Sequence, residues 1–308
     1  MSQHFFYCSE LSRGHAEKTF GTASIGEVWL LVEYPFSWGP KAFHDSDLSA
    51  EVKAYLNRAI KTIPKARLLF IKQGRRTGGE LSVFVARCRE QNPSIVRLGL
   101  SRYEQLLDIN MQAIAKGEPN PDAAAWNSPL YLVCTHGRRD KCCAKFGYPL
   151  YKSLRSANAS VWQSSHVGGD RFAANLLCFP HGLFYAHMTE EAARHVIEEY
   201  EARRIALDKY RGRSCYSYPV QAAEFFIRKE AGLASLDELR QLDCERVGEK
   251  RARVRFRTAD GKVVHEAVVR SAASPFQSFN TCHATEEKSV IQYVLDDYRV
   301  TSVEADPV

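Results

Sequence analysis

Two stretches of this chain carry the same order of predicted elements, and that repetition limits the fold more than any single residue. In the first, residues 28–34 (VWLLVEY) form an unbroken apolar run of strand length, followed by an amphipathic helix near 48–59. Strand candidates follow at 67–72, 81–88 and 95–100, then a helix near 103–114. The second stretch opens with LYLVC at 130–134 and continues into a helix from about Cys143 to Arg155, interrupted by Gly147 and Pro149. Strands are expected at 160–165, 175–179 and 183–187, with a turn at Pro180-His181-Gly182. A helix from Thr189 to about Tyr210 closes the unit, with Thr189 as N-cap and Glu190 and Glu191 in its first turn. Both strings read β-α-β-β-β-α, which predicts the α/β class. No residue-level repeat links them, so the shared order stands either for a duplication with a degenerate first copy or for coincidence.

The two stretches are separated by GEPNPDAAAWNSP, which has three prolines and no periodicity and reads as a linker. The expected division is 1–125 for an N-terminal α/β unit, 126–210 for the second unit and 211–308 for a small α+β C-terminal domain. In the last, Pro219 starts a helix and Gly232 stops it. A short helix is expected at 236–241, then a β-hairpin of 252–257 and 263–270 around Asp260-Gly261. Arg251, Arg253, Arg255 and Arg257 alternate with apolar residues and so share one strand face. Helices before a basic hairpin resemble a winged helix, but a solvated edge face is the favoured reading.

At 308 residues the chain can bury two or three cores. No apolar stretch approaches the roughly 18–20 residues that cross a bilayer, so no membrane partner is expected. The start, MSQHFFYCSELSRGH, lacks the order of a secretory signal, which predicts a cytoplasmic protein. A net charge of +6 is modest for this length and does not demand nucleic acid. The nine cysteines, odd in number, argue for reduced thiols over a disulfide framework. Cys88, Cys178 and Cys244 lie in or beside apolar or strand-like runs and read as small buried hydrophobes.

Cys134, Cys142 and Cys143 differ, because they cluster around a polar loop in YLVCTHGRRDKCCAKFG. Cys134 ends a strand and Cys142-Cys143 opens a helix, where peptide dipoles and Arg138, Arg139 and Lys141 favour thiolate. Further on, His166 follows a strand and precedes Gly168-Gly169 and Asp170. Paired glycines let the backbone turn tightly or approach a bulky group. His136 is expected to hydrogen-bond the loop backbone, Asp140 to cap the helix near Cys142, and Arg171 to act as a local counter-ion. Arg139 is left open.

These motifs, Cys134-Thr-His-Gly-Arg-Arg-Asp-Lys-Cys-Cys143 and His166-Val-Gly-Gly-Asp170, resemble the sucrase/ferredoxin-like family, relatives of the thioredoxin-fold [2Fe-2S] ferredoxins. The detailed resemblance covers about 130–185, and a looser one (GTA near Gly21, then WLLVEYPFSWGPKAF) extends it toward the N-terminus. It implies a thioredoxin-like ferredoxin module with Cys134 and Cys143 as two cluster ligands and His166 as a third. At the fourth position the relatives carry histidine or cysteine, whereas this chain has Asp170. A carboxylate is a harder anionic donor, expected to lower the potential and make the cluster more labile. Asp170 is one candidate ligand; alternatively it hydrogen-bonds His166 while Cys142 or water completes the site, or the cluster is lost.

The resemblance therefore implies a one-electron carrier rather than an enzyme that turns over a substrate. A thiol redox protein using Cys134 with Cys142 or Cys143, and a zinc site of Cys134, Cys143, His166 and Asp170, are the rival readings. Nothing in the sequence suggests glycoside hydrolysis, since no carboxylate pair has a glycosidase context. No GxGxxG opens a helix after a strand, so electrons are expected from a redox partner protein, reductase or acceptor.

Overall fold

In the computed structural model, residues 6–74 and 79–303 are described. The leader reading and the outer ends of the first and third segments fall partly on residues outside this set. Among the described residues, no helix is long and apolar enough to cross a membrane.

After a short helix α1 (Cys8–Gly14), the first unit runs β1 (Val28–Glu33), α2 (Ala50–Thr62), β2 (Ala66–Lys72), β3 (Leu81–Arg87) and β4 (Ser94–Leu100). It ends with α3 (Met111–Lys116) and β5 (Ala123–Ala125). The second unit runs β6 (Leu130–Cys134), α4 (Tyr148–Ala157), β7 (Val161–Ser164), β8 (Leu176–Phe179), β9 (Leu183–Tyr185), α5 (Glu190–Glu201) and β10 (Tyr210–Arg213). Among the described residues these strands make one ten-stranded sheet in the order β10-β9-β8-β6-β7-β2-β1-β3-β4-β5.

That order shows one connectivity used twice. In each unit the first strand lies parallel to the second and antiparallel to the third, and the later strands add antiparallel outward. The units meet where β2 and β7 run antiparallel, with Ile71 opposite Ser164. The joined sheet curls, so that Trp29 of β1 touches Phe179 of β8 and Phe184 of β9. A single apolar core therefore fills the space between the two half-sheets, and the helices cover separate cores outside. This explains the unbroken apolar runs at β1 and β6: both faces of those strands are buried.

Several expected elements shift. The helix expected near 103–114 divides into a 3-10 turn, Tyr103–Asp108, and α3, because Asn110 Oδ1 accepts from Ala113 N at 3.1 Å and restarts the helix. The expected helix to Tyr210 ends at Glu201, and residues 210–213, which the sequence reading divides between two segments, form β10. Thr189 caps α5 as expected, its Oγ1 accepting from Ala192 N at 3.2 Å.

The C-terminal part is a four-stranded antiparallel sheet, β11 (Leu239–Arg246), β12 (Arg251–Thr258), β13 (Val263–Ser278) and β14 (Lys288–Ser302), with α6 (Tyr218–Ala231) on one face. The helix expected at 236–241 is instead the lead into β11. Pairing of this segment with β12 overrides the helical expectation. The arginine-rich strand β12 is internal, not an edge; its outer face is ion-paired, Arg251 with Asp296 at 2.7 Å and Arg253 with Glu245 at 3.2 Å. Cys244, expected to be buried, is exposed on β11. Cys88 and Cys178 are buried.

The two sheets are locked by a buried ionic cluster. Glu224 of α6 accepts from Arg213 of β10 at 2.9 Å, from Arg228 at 3.1 Å and from the Tyr210 hydroxyl at 2.9 Å. All of these side chains are buried.

Candidate metal centre

The parallel pairing of β6 and β7 places Cys134 directly opposite Ser164, so these two central strands release Cys134 and, two residues on, His166 at the same end of the sheet. The chain leaves β6 through the polar loop and returns in a π-helical turn, Cys143–Gly147, before α4. Gly147 permits that return. A Cβ at this position would lie 2.0 Å from the Cys134 carbonyl oxygen, so only glycine lets the turn rest on the strand end. Cys143 is thereby carried back over Cys134.

The donor atoms of Cys134, Cys143 and His166 lie within 4.8 Å of one another. Asp170 joins them from the other side: its Oδ1 is 3.1 Å from His166 Nδ1 and 3.6 Å from Cys143 Sγ. The His166–Asp170 approach is not in hydrogen-bonding geometry, which leaves Nδ1 buried without a hydrogen-bond partner. Cys134 and Cys143 are fully buried, while the His166 side chain keeps 22% of its exposure. Soft thiol donors, an imidazole whose Nδ1 makes no hydrogen bond and a carboxylate are a donor set that could hold a metal.

The electrostatics favour one thiolate. The Cys143 thiol donates to Cys134 and the His166 ring lies against it; together they outweigh burial and hold Cys134 well below the usual thiol range. Cys143 is pushed well up, first by giving its hydrogen bond to Cys134 and then by burial. Burial alone would depress His166, but contact with Cys134 and the charges of Cys134 and Asp170 raise it. Asp170 is raised chiefly by burial.

The loop carrying His166 and Asp170 is braced from behind. Gly168 and Gly169 both adopt left-handed conformations, with φ of 88° and 78°, and this brings positions 166 and 170 to one side. Buried Arg211 of β10 donates to Gly168 O at 3.1 Å, Asn175 Oδ1 at 2.7 Å and Thr22 Oγ1 at 3.1 Å. Ser24 Oγ donates to Val167 O at 2.7 Å. Arg211 was not singled out by sequence. The signal that could have found it is the GTA match, whose Thr22 is one of its anchors.

His136 has the backbone role expected. Nδ1 accepts from His166 N at 3.2 Å, which makes Nε2 the protonated nitrogen donating to Gly39 O at 2.7 Å. It ties the histidine ligand candidate to the PFSWGP loop of the first unit. Asp140 Oδ1 accepts from Cys142 N at 2.9 Å, the cap anticipated. Arg171 pairs with Glu17 at 2.8 Å. Arg139 lines a cavity of about 220 Å³ beside His166, together with Lys41, His44 and His136. That cavity is the solvent side of the centre.

Cys142 is not in this group. Its Sγ lies 3.6 Å from Cys8 and 3.2 Å from Cys282, two cysteines that no sequence motif marked.

The profile of the sucrase/ferredoxin-like family matches residues 19–212. "Altered inheritance of mitochondria protein 32" of Meyerozyma guilliermondii is 25% identical over 147 residues, covering 43% of this chain and 50% of the relative. The chain thus spans about half the length of that curated relative. No solved structure matches.

Proposed function

The chain belongs to the sucrase/ferredoxin-like family, and from that premise we propose that it is a one-electron carrier holding a [2Fe-2S] cluster at Cys134, Cys143, His166 and Asp170. The observation that carries the reading is the convergence of two buried thiols, an imidazole nitrogen without a hydrogen-bond partner and a carboxylate at the ends of two central strands. The donors fall into two neighbouring pairs, Cys134 with Cys143 and His166 with Asp170, which suits a two-iron centre. When bound, the cluster takes up and passes on single electrons.

The protein's own residues supply the rest. Cys134 and Cys143 sit in the apolar core between the half-sheets, so the sulfur side is dry. His166, the exposed member, faces the cavity and is the natural point of electron exchange. As a ligand, its imidazole keeps a second, ionisable ring nitrogen, which supports coupling of electron and proton uptake. Lys41 and Arg139 on the cavity wall favour an acidic face on the redox partner protein. In this reading the second unit is a thioredoxin-like ferredoxin module and the first is its degenerate copy. Nine free thiols suit a reducing compartment such as the cytoplasm.

A mononuclear zinc site is the second reading, favoured by one observation: three donors already lie within 4.8 Å of one another. The visible spectrum of protein purified without air, and the electron paramagnetic resonance of its reduced form, separate the two. A colourless, resonance-silent protein after reconstitution would sink the cluster.

A further inference from the structure

Cys8, Cys142 and Cys282 come from α1, the start of the π-helical turn and the loop between β13 and β14. Their sulfurs form a triangle with sides of 3.6, 3.2 and 3.5 Å. Asp140 closes it: one carboxylate oxygen accepts from Cys142 N at 2.9 Å and the other from Cys282 N at 2.7 Å. Each oxygen retains a lone pair. All four residues are buried, and their donor atoms lie within 4.8 Å of one another.

We propose that Cys8, Cys142, Cys282 and Asp140 form a second metal site, a structural one that takes a single zinc ion. The proposal goes beyond the electron-transfer reading and does not depend on it. Sulfurs in a disulfide stand about 2.05 Å apart, so no pair here is bonded. Around a tetrahedral zinc at about 2.3 Å, thiolates stand about 3.8 Å from one another, so the triangle needs to open by only a few tenths of an ångström. A disulfide would use two of the three sulfurs and leave a thiol and a carboxylate buried beside it. A divalent cation uses all four donors and removes the cost of crowding them out of water.

The surroundings fit such an ion. Phe6, Tyr7, Phe146 and Phe279 shield the site. Lys145 lies 4.1 Å over the Tyr7 ring and Arg13 4.5 Å over the Phe146 ring, so two cations stand against the aromatic shield of a site rich in negative charge. Binding exchanges thiol protons for zinc and involves no electron transfer. The ion would tie the N-terminal helix and the C-terminal sheet to the turn that carries Cys143.

The test uses the full chain and its Cys134→Ser, Cys282→Ser and Cys282→His variants, analysed for zinc, iron and sulfide, with circular dichroism to report folding. The expected result is one zinc per chain in wild type and in Cys134→Ser, at least a tenfold loss in Cys282→Ser, and recovery in Cys282→His. With cobalt in place of zinc, Cys134→Ser should show the visible bands of tetrahedral thiolate-bound cobalt, and this arm stands even if Cys282→Ser fails to fold. The proposal is overturned if Cys134→Ser binds neither metal, if zinc follows Cys134 rather than Cys282, or if anaerobically purified protein carries a Cys142–Cys282 disulfide. Iron and sulfide in the same samples report the cluster separately.

Discussion

Cys142 and Cys143 are adjacent in the chain but sit in different clusters: Cys142 Sγ lies 3.2 Å from Cys282 Sγ, and Cys143 Sγ lies 3.6 Å from Asp170 Oδ1. Their substitutions should therefore separate cleanly. Cys143→Ser is expected to abolish the visible absorption of the cluster, whereas Cys142→Ser retains it. Loss of the spectrum in both, with folding intact by circular dichroism, would contradict the assignment.

Asp170 is the unusual member of the proposed ligand set. Replacing it with histidine exchanges an anionic oxygen for a neutral nitrogen, so the reduction potential should rise by on the order of 100 mV and the cluster should bleach more slowly in air. Redox titration of Asp170→His against wild type checks both. Unchanged behaviour in Asp170→Ala would show that the carboxylate is not a ligand.

Gly147 tests the local packing. Its missing Cβ makes room for the Cys134 carbonyl, so Gly147→Ala should destabilise the protein by about 1–3 kcal/mol and lower cluster occupancy. Urea denaturation with iron analysis reads both effects. A variant of wild-type stability and full occupancy would mean the turn moves at no cost.

The ionic cluster between the sheets should be costly to break from one side. Glu224→Ala leaves Arg213 and Arg228 buried without their carboxylate and is expected to cost about 3–5 kcal/mol. A shift under 1 kcal/mol in urea unfolding would show that this cluster is not what joins the sheets.

Acid should weaken the fold through two buried histidines. Burial, helped for His181 by Arg213 and for His187 by Arg13, lowers each from 6.5 to about 3. The unfolded chain therefore binds more protons between these values. Their contribution is complete above pH 6.5 and is lost as pH falls toward 3, so the urea midpoint should drop from pH 7 to pH 5. Replacing His181 with Gln should reduce that pH dependence.

The strands β1 and β6 were legible because burial on both faces leaves a plain apolar run. The convergence of Cys134, Cys143 and His166 was legible from two motifs read together. Cys8 and Cys282 were not, since 274 residues separate them and each alone looks like an ordinary buried thiol. Strand β10 was missed for a related reason. Its sequence YRGR looks solvated, yet Arg211 and Arg213 are buried, one holding the Gly168 loop and the other Glu224. Long-range partners gave these residues their meaning, and local pattern does not report them.

The most direct measurement is the iron, acid-labile sulfide and zinc content of anaerobically purified protein, comparing wild type with Cys134→Ser. The account predicts iron and sulfide in equal amounts, two of each per chain, lost in Cys134→Ser. Iron and sulfide absent from wild type after reconstitution, or zinc alone bound through Cys134, would contradict it.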